Sequence, residues 1–326
     1  MRTDSRQRIL AFLQANGRTS AHLLAQHLSI TPQAVFRHLK HLQQAQIIKK
    51  IGASPKTYYE LDTRPSPSTE TSLDPATHTL IEQEFLRITP DGLLEQGVHA
   101  FVHWCEKRHL PVEKTARDYV ESMRKFARYK TPDGLIDGLP KFQKTFPHTY
   151  PNHVYYLDFY SIERFGKTKL GELLLYAKQS QNASMMKLVV QEVRERILRL
   201  IQRFEIDAIC FAPPTIKREV QFMKVLEREL HLPIRVIPVT KIKTPIIVPQ
   251  KTLTKLEDRI ENANTTMHIE ATAPAKHVLV IDDAIGSGAT LNSLARQLKE
   301  RGIATESVTG LAITGSFNGF DVIQEV

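Results

Sequence analysis

Two adjacent carboxylates, Asp282 and Asp283, end the apolar run Val278-Leu279-Val280-Ile281 and are followed by Ala284-Ile285-Gly286-Ser287-Gly288-Ala289-Thr290-Leu291. An uninterrupted apolar run with two Val and one Ile predicts a central strand buried on both faces. Residues 292–301 predict a helix that Gly302 stops. In such a strand-loop-helix unit the ligand lies at the carboxyl end of the strand, and the N–H groups at the helix start attract a phosphate. Gly286, Gly288 and Ala289 let the backbone approach the anion, and the hydroxyls of Ser287 and Thr290 can donate to its oxygens. The two acids cannot favour that phosphate. They face vicinal hydroxyls of a ribose, or a divalent cation. The chemistry indicated is that of a sugar phosphate. A dinucleotide fingerprint would need a third Gly near Leu291, and a triphosphate loop would need a Gly-Lys-Ser/Thr ending; both are missing.

This pattern of apolar strand, two acids, two variable residues and a short Thr/Ser/Gly loop resembles the phosphoribosyl pyrophosphate (PRPP) signature of type I phosphoribosyltransferases. The resemblance implies a PRPP-binding set of Asp282, Asp283, Ala284, Gly286, Ser287, Gly288, Ala289 and Thr290, with the acids on the ribose hydroxyls and the loop on the 5′-phosphate.

The elements that must position this set alternate between strands and helices from residue 154 onward, which predicts a parallel α/β sheet. Leu173-Leu174-Leu175-Tyr176-Ala177-Lys178 precedes a helix expected over 187–204. The strand Ala208-Ile209-Cys210-Phe211-Ala212 then ends in Pro213-Pro214, with Lys217, Arg218 and Gln221 after it. Gln250-Lys251-Thr252-Leu253, Arg259 and Asn262 lie further on. These markers resemble the ComF branch of the phosphoribosyltransferase fold, a family associated with competence and DNA uptake. By that likeness Pro214, Lys217 and Arg218 flank the pyrophosphate and its Mg²⁺, and Lys251 and Arg259 belong to a hood that closes over the ligand. Two departures stand out. The family's Arg-Gly-Phe-Asn-Gln run is Arg218-Glu219-Val220-Gln221-Phe222 here, and Gly286 replaces the Asp that serves the base in 6-oxopurine transferases.

Residues 1–62 carry nine Lys/Arg against three Asp/Glu, a local excess of 9 − 3 = +6 out of a net +9 for all 326 residues. An anionic partner follows from that charge. Ile9, Leu10, Phe12 and Leu13 predict one helix; Leu23, Leu24 and Leu28 a second, capped by Thr19 or Ser20. A third starts at Thr31-Pro32, with Val35, Leu39 and Leu42 facing inward. Ile47-Ile48-Lys49-Lys50-Ile51 and Thr57-Tyr58-Tyr59-Glu60-Leu61 predict a β-hairpin. This order resembles the small winged helix-turn-helix domains of bacterial transcriptional regulators. The likeness puts the helix beginning at Thr31 in the major groove, with Gln33, Arg37 and His38 reading bases and Lys49, Lys50 and Lys56 holding phosphates.

The expected organisation is a winged helix-turn-helix domain at 1–62, a Pro/Ser/Thr-rich linker at 63–72, a mainly helical middle segment at 73–153, and a parallel-sheet type I phosphoribosyltransferase fold at 154–326. In the middle, helices are expected over 93–107 and 111–129, and 130–153 shows no period. Phe101, Trp104 and Phe126 are expected in the core. Cys105 and Cys210 lie apart in apolar segments and predict reduced core thiols; no run is long and apolar enough for a membrane span, so a cytoplasmic protein is expected. Three functions remain open: a DNA-binding regulator, by default a homodimer, that senses PRPP or a nucleotide; an active phosphoribosyltransferase; and a competence-type ComF-like DNA-handling protein.

Overall fold

The computed structural model describes residues 5–45, 47–62, 73–214, 218–242, 244–246, 248, 252–270 and 273–316. The expected linker at 63–72 and the two cations Lys217 and Lys251 lie outside the described residues.

The N-terminal region folds as α1 (Ser5–Asn16), β1 (Thr19–Ser20), α2 (Ala21–Leu28), α3 (Pro32–Gln44), β2 (Ile48–Ala53) and β3 (Lys56–Leu61). Ser20 caps α2, its Oγ accepting from the Leu23 N–H at 3.3 Å, and Ser29 closes that helix at φ 54°. Thr31 caps α3 in the same way through the Ala34 N–H at 3.3 Å, and Pro32 takes the first helical position. Ile9, Leu13, Leu24, Leu28, Val35, Leu39 and Leu42 close a separate core with Ile48 and Tyr59 of the hairpin. Two details differ from the sequence expectation. Leu23 is 51% exposed, because Leu24 and Leu28 set the buried stripe of α2 and Leu23 lies one residue off it. Thr19 and Ser20 add a third strand on β3, too short to display any period.

Next come α4 (Pro75–Glu84), β4 (Leu86–Ile88), β5 (Leu94–Gln96), α5 (Gly97–Glu106), α6 (Val112–Ala127), β6 (Ile136–Asp137) and α7 (Leu139–Thr145). They are followed by β7 (His153–Phe159), β8 (Ser161–Ile162), β9 (Gly166–Lys167), α8 (Lys169–Ser180), α9 (Ala183–Arg203), β10 (Ala208–Phe211) and α10 (Phe222–Leu230). The chain continues through β11 (Arg235–Val236), β12 (Val239–Lys241), α11 (Leu256–Thr266), β13 (Met267–Ile269), β14 (Ala275–Ile285), α12 (Ala289–Glu300) and β15 (Ala304–Gly315).

Six of these strands make one sheet in the order β11-β10-β14-β15-β7-β6; β6 alone is antiparallel to its neighbour. The run predicted as a doubly buried strand is β14, inside this sheet. Val278 and Val280 join the core under α12, whereas Leu279 and Ile281 join the core under α8, α9 and α10. That alternation, apolar on both sides, is what a covered parallel sheet requires. The N–H of Ala212 also donates to Ile281 O at 2.8 Å, which holds the end of β10 beside the acids.

The middle segment shares this core. Ile81, Phe101 and Phe126 cluster with Val278 and Leu291, with Trp104 packed partly buried against them, and β6 pairs with β7 through Ile136↔Tyr156. Residues 94–96 are strand rather than the expected helix. Thr89 N donates to Leu93 O at 2.9 Å and Gly92 sits at φ +79°, so 89–93 form a hairpin turn, and the helix begins only at Gly97. The segment without a period holds β6 and α7, two elements too short to reveal one.

Candidate functional site

The acids stand at the carboxyl end of β14, where side chains of successive residues point to opposite faces. Asp282 shares a register row with Ala312 and Tyr156, on the α12 side. Asp283 meets α8: its Oδ2 accepts from Lys178 Nζ at 2.8 Å. Its backbone N–H turns back to Asp282 Oδ1 at 2.8 Å. Burial, and secondarily the charge on Asp283, push the Asp282 carboxyl up to about 7. The two carboxylates are therefore unequal, one ion-paired and one poised to hold a proton near neutrality.

The loop after them is built around two glycines. Gly288 has φ +85°, and a Cβ there would lie 2.4 Å from Phe142 Cζ, so only glycine fits over that ring. Gly286 is open except toward Arg259, whose Nη1 would lie 3.9 Å from an added Cβ. Arg259 is buried, donates through Nε to Leu253 O at 2.7 Å, and has its charged form disfavoured by burial. The Ala289 N–H donates to Ser287 Oγ at 3.4 Å, and α12 starts at Ala289 with Thr290 half-buried beside it. The backbone N–H groups of this first turn have no intrahelical acceptor, which makes the loop and the helix start one anion-attracting unit.

Residues that the sequence did not single out hold this loop. Lys141 Nζ of α7 donates to Gly286 O at 2.7 Å and to Ser316 Oγ at 2.8 Å. Asn292 of α12 accepts from Tyr150 N at 3.0 Å and donates to His148 O at 3.1 Å. Across the sheet, Pro214 lies three residues beyond the end of β10, and Arg218 donates from Nη1 to Lys178 O at 2.7 Å. Lys178 thus joins Asp283, through its side chain, to the Arg218 loop, through its carbonyl. Arg259 borders the loop at Gly286, Arg218 is linked to Asp283 only through Lys178, and Ala284 lies between the acids and the turn. Two carboxylates are a small donor set for a metal, and among the described residues no group of three His, Cys, Asp or Glu could hold one.

A second surface lies on α3. Gln33, Phe36, Arg37 and Lys40 are exposed at i, i+3, i+4 and i+7, opposite Val35, Leu39 and Leu42. His38 is turned toward the side of the helix, half-buried, and its Nδ1 is buried without a partner. The Thr31 hydroxyl serves the cap of the helix. On the wing, Lys50 and Lys56 are exposed and make no ion pair with any described residue, whereas Lys49 lies 3.1 Å from Glu60 and 3.6 Å from Asp91. Arg18 Nε lies 2.9 Å from the other Glu60 oxygen, and hydrogen bonds from Arg18 and then Lys49 hold that carboxyl below its ordinary value. No described carboxylate offsets the charge of Lys50 or Lys56. No described helix is long and apolar enough to cross a membrane.

The family model for winged helix-turn-helix DNA-binding domains matches residues 2–49. Among solved structures, the chain is similar to the Zalpha domain of PKZ from Carassius auratus in complex with Z-DNA, at 26% identity and a TM-score of 0.17, over 18% of this chain and 90% of that one. It is also similar to a hypoxanthine phosphoribosyltransferase from Staphylococcus aureus, at 14% identity and a TM-score of 0.24, over 38% of this chain and 61% of that one. No curated protein matches it. The family model agrees with the helix, helix, helix, hairpin order described above: the protein carries an N-terminal winged helix-turn-helix DNA-binding domain.

Proposed function

We propose that this protein is a DNA-binding transcriptional regulator, a homodimer of the cytoplasm, whose α/β half binds PRPP or a nucleotide with Mg²⁺ and couples that occupancy to DNA affinity. The observation that carries the reading is the pairing of two unlike sites in one chain. An exposed, acid-free recognition helix stands at one end, and a carboxylate pair over a glycine loop and a helix start at the other. The ComF-like resemblance of residues 155–316 supports the choice of PRPP. The acids take the ribose hydroxyls, residues 286–290 take the 5′-phosphate, and Arg218 and Arg259 supply positive charge toward the pyrophosphate. Regulation needs only a coupling of about 1–3 kcal/mol between the two sites.

The experiment is isothermal titration of PRPP with Mg²⁺ into the full chain, alone and with genomic DNA fragments that the protein retains. Micromolar binding that shifts in the presence of DNA is expected. Absence of heat under both conditions would remove the ligand-sensing half of the proposal and leave the DNA-binding domain standing.

A further inference from the structure

On α3 the largest apolar side chain points outward. Phe36 is 52% exposed, while the buried stripe of the helix is complete without it in Val35, Leu39 and Leu42. Its exposed neighbours on the same face are Gln33 one turn before, Arg37 beside it and Lys40 one turn after. The helix carries no Asp or Glu. Phe36 belongs to neither the core of this domain nor the side chains packed against it, and about half of its ring is apolar surface that an occupant would remove from water. A second copy of the chain docking the same face would set Arg37 and Lys40 against Arg37 and Lys40, which a symmetric contact cannot relieve. The DNA major groove offers the complementary arrangement: phosphates on both rims for the cations, and on the floor one apolar group, the C5-methyl of thymine. Phe36 also lies in the second turn of the helix, near the N-terminal end that reaches base edges in this class of domain.

We infer that Phe36 is a specificity-determining residue that reads a thymine methyl in the major groove, between the contacts of Gln33 and Arg37. The inference rests on the DNA-binding reading of the N-terminal domain. Gln33 and Arg37 select by hydrogen bonds, whereas Phe36 selects by excluding water from one methyl group and by leaving a cytosine amino group without a partner.

The test begins with in vitro selection of duplex sites by the full-length wild-type protein and by Phe36→Ala, since Ala preserves the helix. Each thymine of the selected wild-type site is then replaced by deoxyuridine, which removes only the methyl. Wild type is expected to lose about fourfold in affinity at one position, the equivalent of ~0.8 kcal/mol for one buried methyl-sized group. Phe36→Ala should be indifferent to that replacement and should select a site degenerate there, while Phe36→Leu keeps part of the discrimination. Wild-type binding unchanged by deoxyuridine at every thymine overturns the inference while leaving the DNA-binding reading intact. A Phe36→Ala protein that keeps its sequence choice but changes oligomeric state overturns it too, in favour of a subunit contact. An empty selection with wild type, no DNA retained at any sequence, overturns both.

Discussion

Lys178 Nζ lies 2.8 Å from Asp283 Oδ2, and the carbonyl of the same Lys178 accepts from Arg218 Nη1 at 2.7 Å. One residue at the end of α8 therefore ties an acid of the central strand to the loop expected to face pyrophosphate. Removing its ammonium leaves Asp283 charged, partly buried and unpaired. For Lys178→Met we expect a stability loss of about 1–2 kcal/mol, less than for a fully buried pair because both side chains retain some solvent. PRPP affinity should fall roughly tenfold, about 1.4 kcal/mol, as the carboxylate then opposes the ligand's own charge. Denaturant titration and calorimetry measure the two effects; PRPP binding equal to wild type would remove Lys178 from the site.

Asp282 titrates at about 7 in the folded chain, against about 4 for a free carboxyl. Between those values the native state holds a proton that the unfolded state has released. This group therefore contributes a stability that declines as pH rises from about 4 through 7. Asp282→Asn cannot ionise and should lose that decline, gaining on wild type by on the order of 2–3 kcal/mol between pH 5 and pH 8. Melting curves of both proteins at the two pH values decide it, and parallel pH profiles would contradict the assignment.

The double change Asp282→Asn with Asp283→Asn should abolish PRPP binding in calorimetry. Free-protein DNA affinity should stay near wild type, since neither acid belongs to the winged helix. Retained PRPP affinity would sink the proposed ribose contacts.

Gly288→Ala imposes two costs at once, a left-handed backbone for a residue with a Cβ and a 2.4 Å approach to Phe142. A loss of about 2–4 kcal/mol is expected. Combining it with Phe142→Leu should recover part of that loss, because the close atom belongs to the ring. Chemical denaturation of the two single variants and the double variant checks this, and simple additivity would show that the ring is not the obstacle.

Arg37→Ala and Lys50→Ala should weaken DNA binding in different ways. Arg37 lies on the exposed stripe proposed to face bases, so its loss should cost about 1–3 kcal/mol on the preferred site and less on other sequences. Lys50 lies on the wing, so its loss should weaken all sequences alike and reduce the salt slope by about one. Affinities over a salt series separate the two, and identical behaviour would argue against the division of labour.

What could be read from the residues alone was local. The strand at 278–281 announced itself because apolar side chains on both parities need cover on both faces, and Thr31-Pro32 announced a helix start through cap chemistry. The loop was legible because small residues are rarely grouped without a close approach to accommodate. Lys141, Phe142 and Asn292 were not legible. Their partners lie about 140 positions away, and α7 is too short to impose a period. Lys178 was visible as the end of an apolar segment, but its acid is chosen only when α8 packs on the sheet. Leu23 shows the opposite failure: type alone does not say which side of a helix carries solvent.

The ammonium of Lys141 and the ring of Phe142 come from the stretch before residue 154, yet they lie under the loop that follows β14. The C-terminal portion is therefore not a transplantable cassette. Severed at residue 153 and joined to a different DNA reader, it would carry its acids and glycines but leave behind the scaffold that shapes them. Shuffling of this proposed ligand site among other proteins must move the helical stretch along with it.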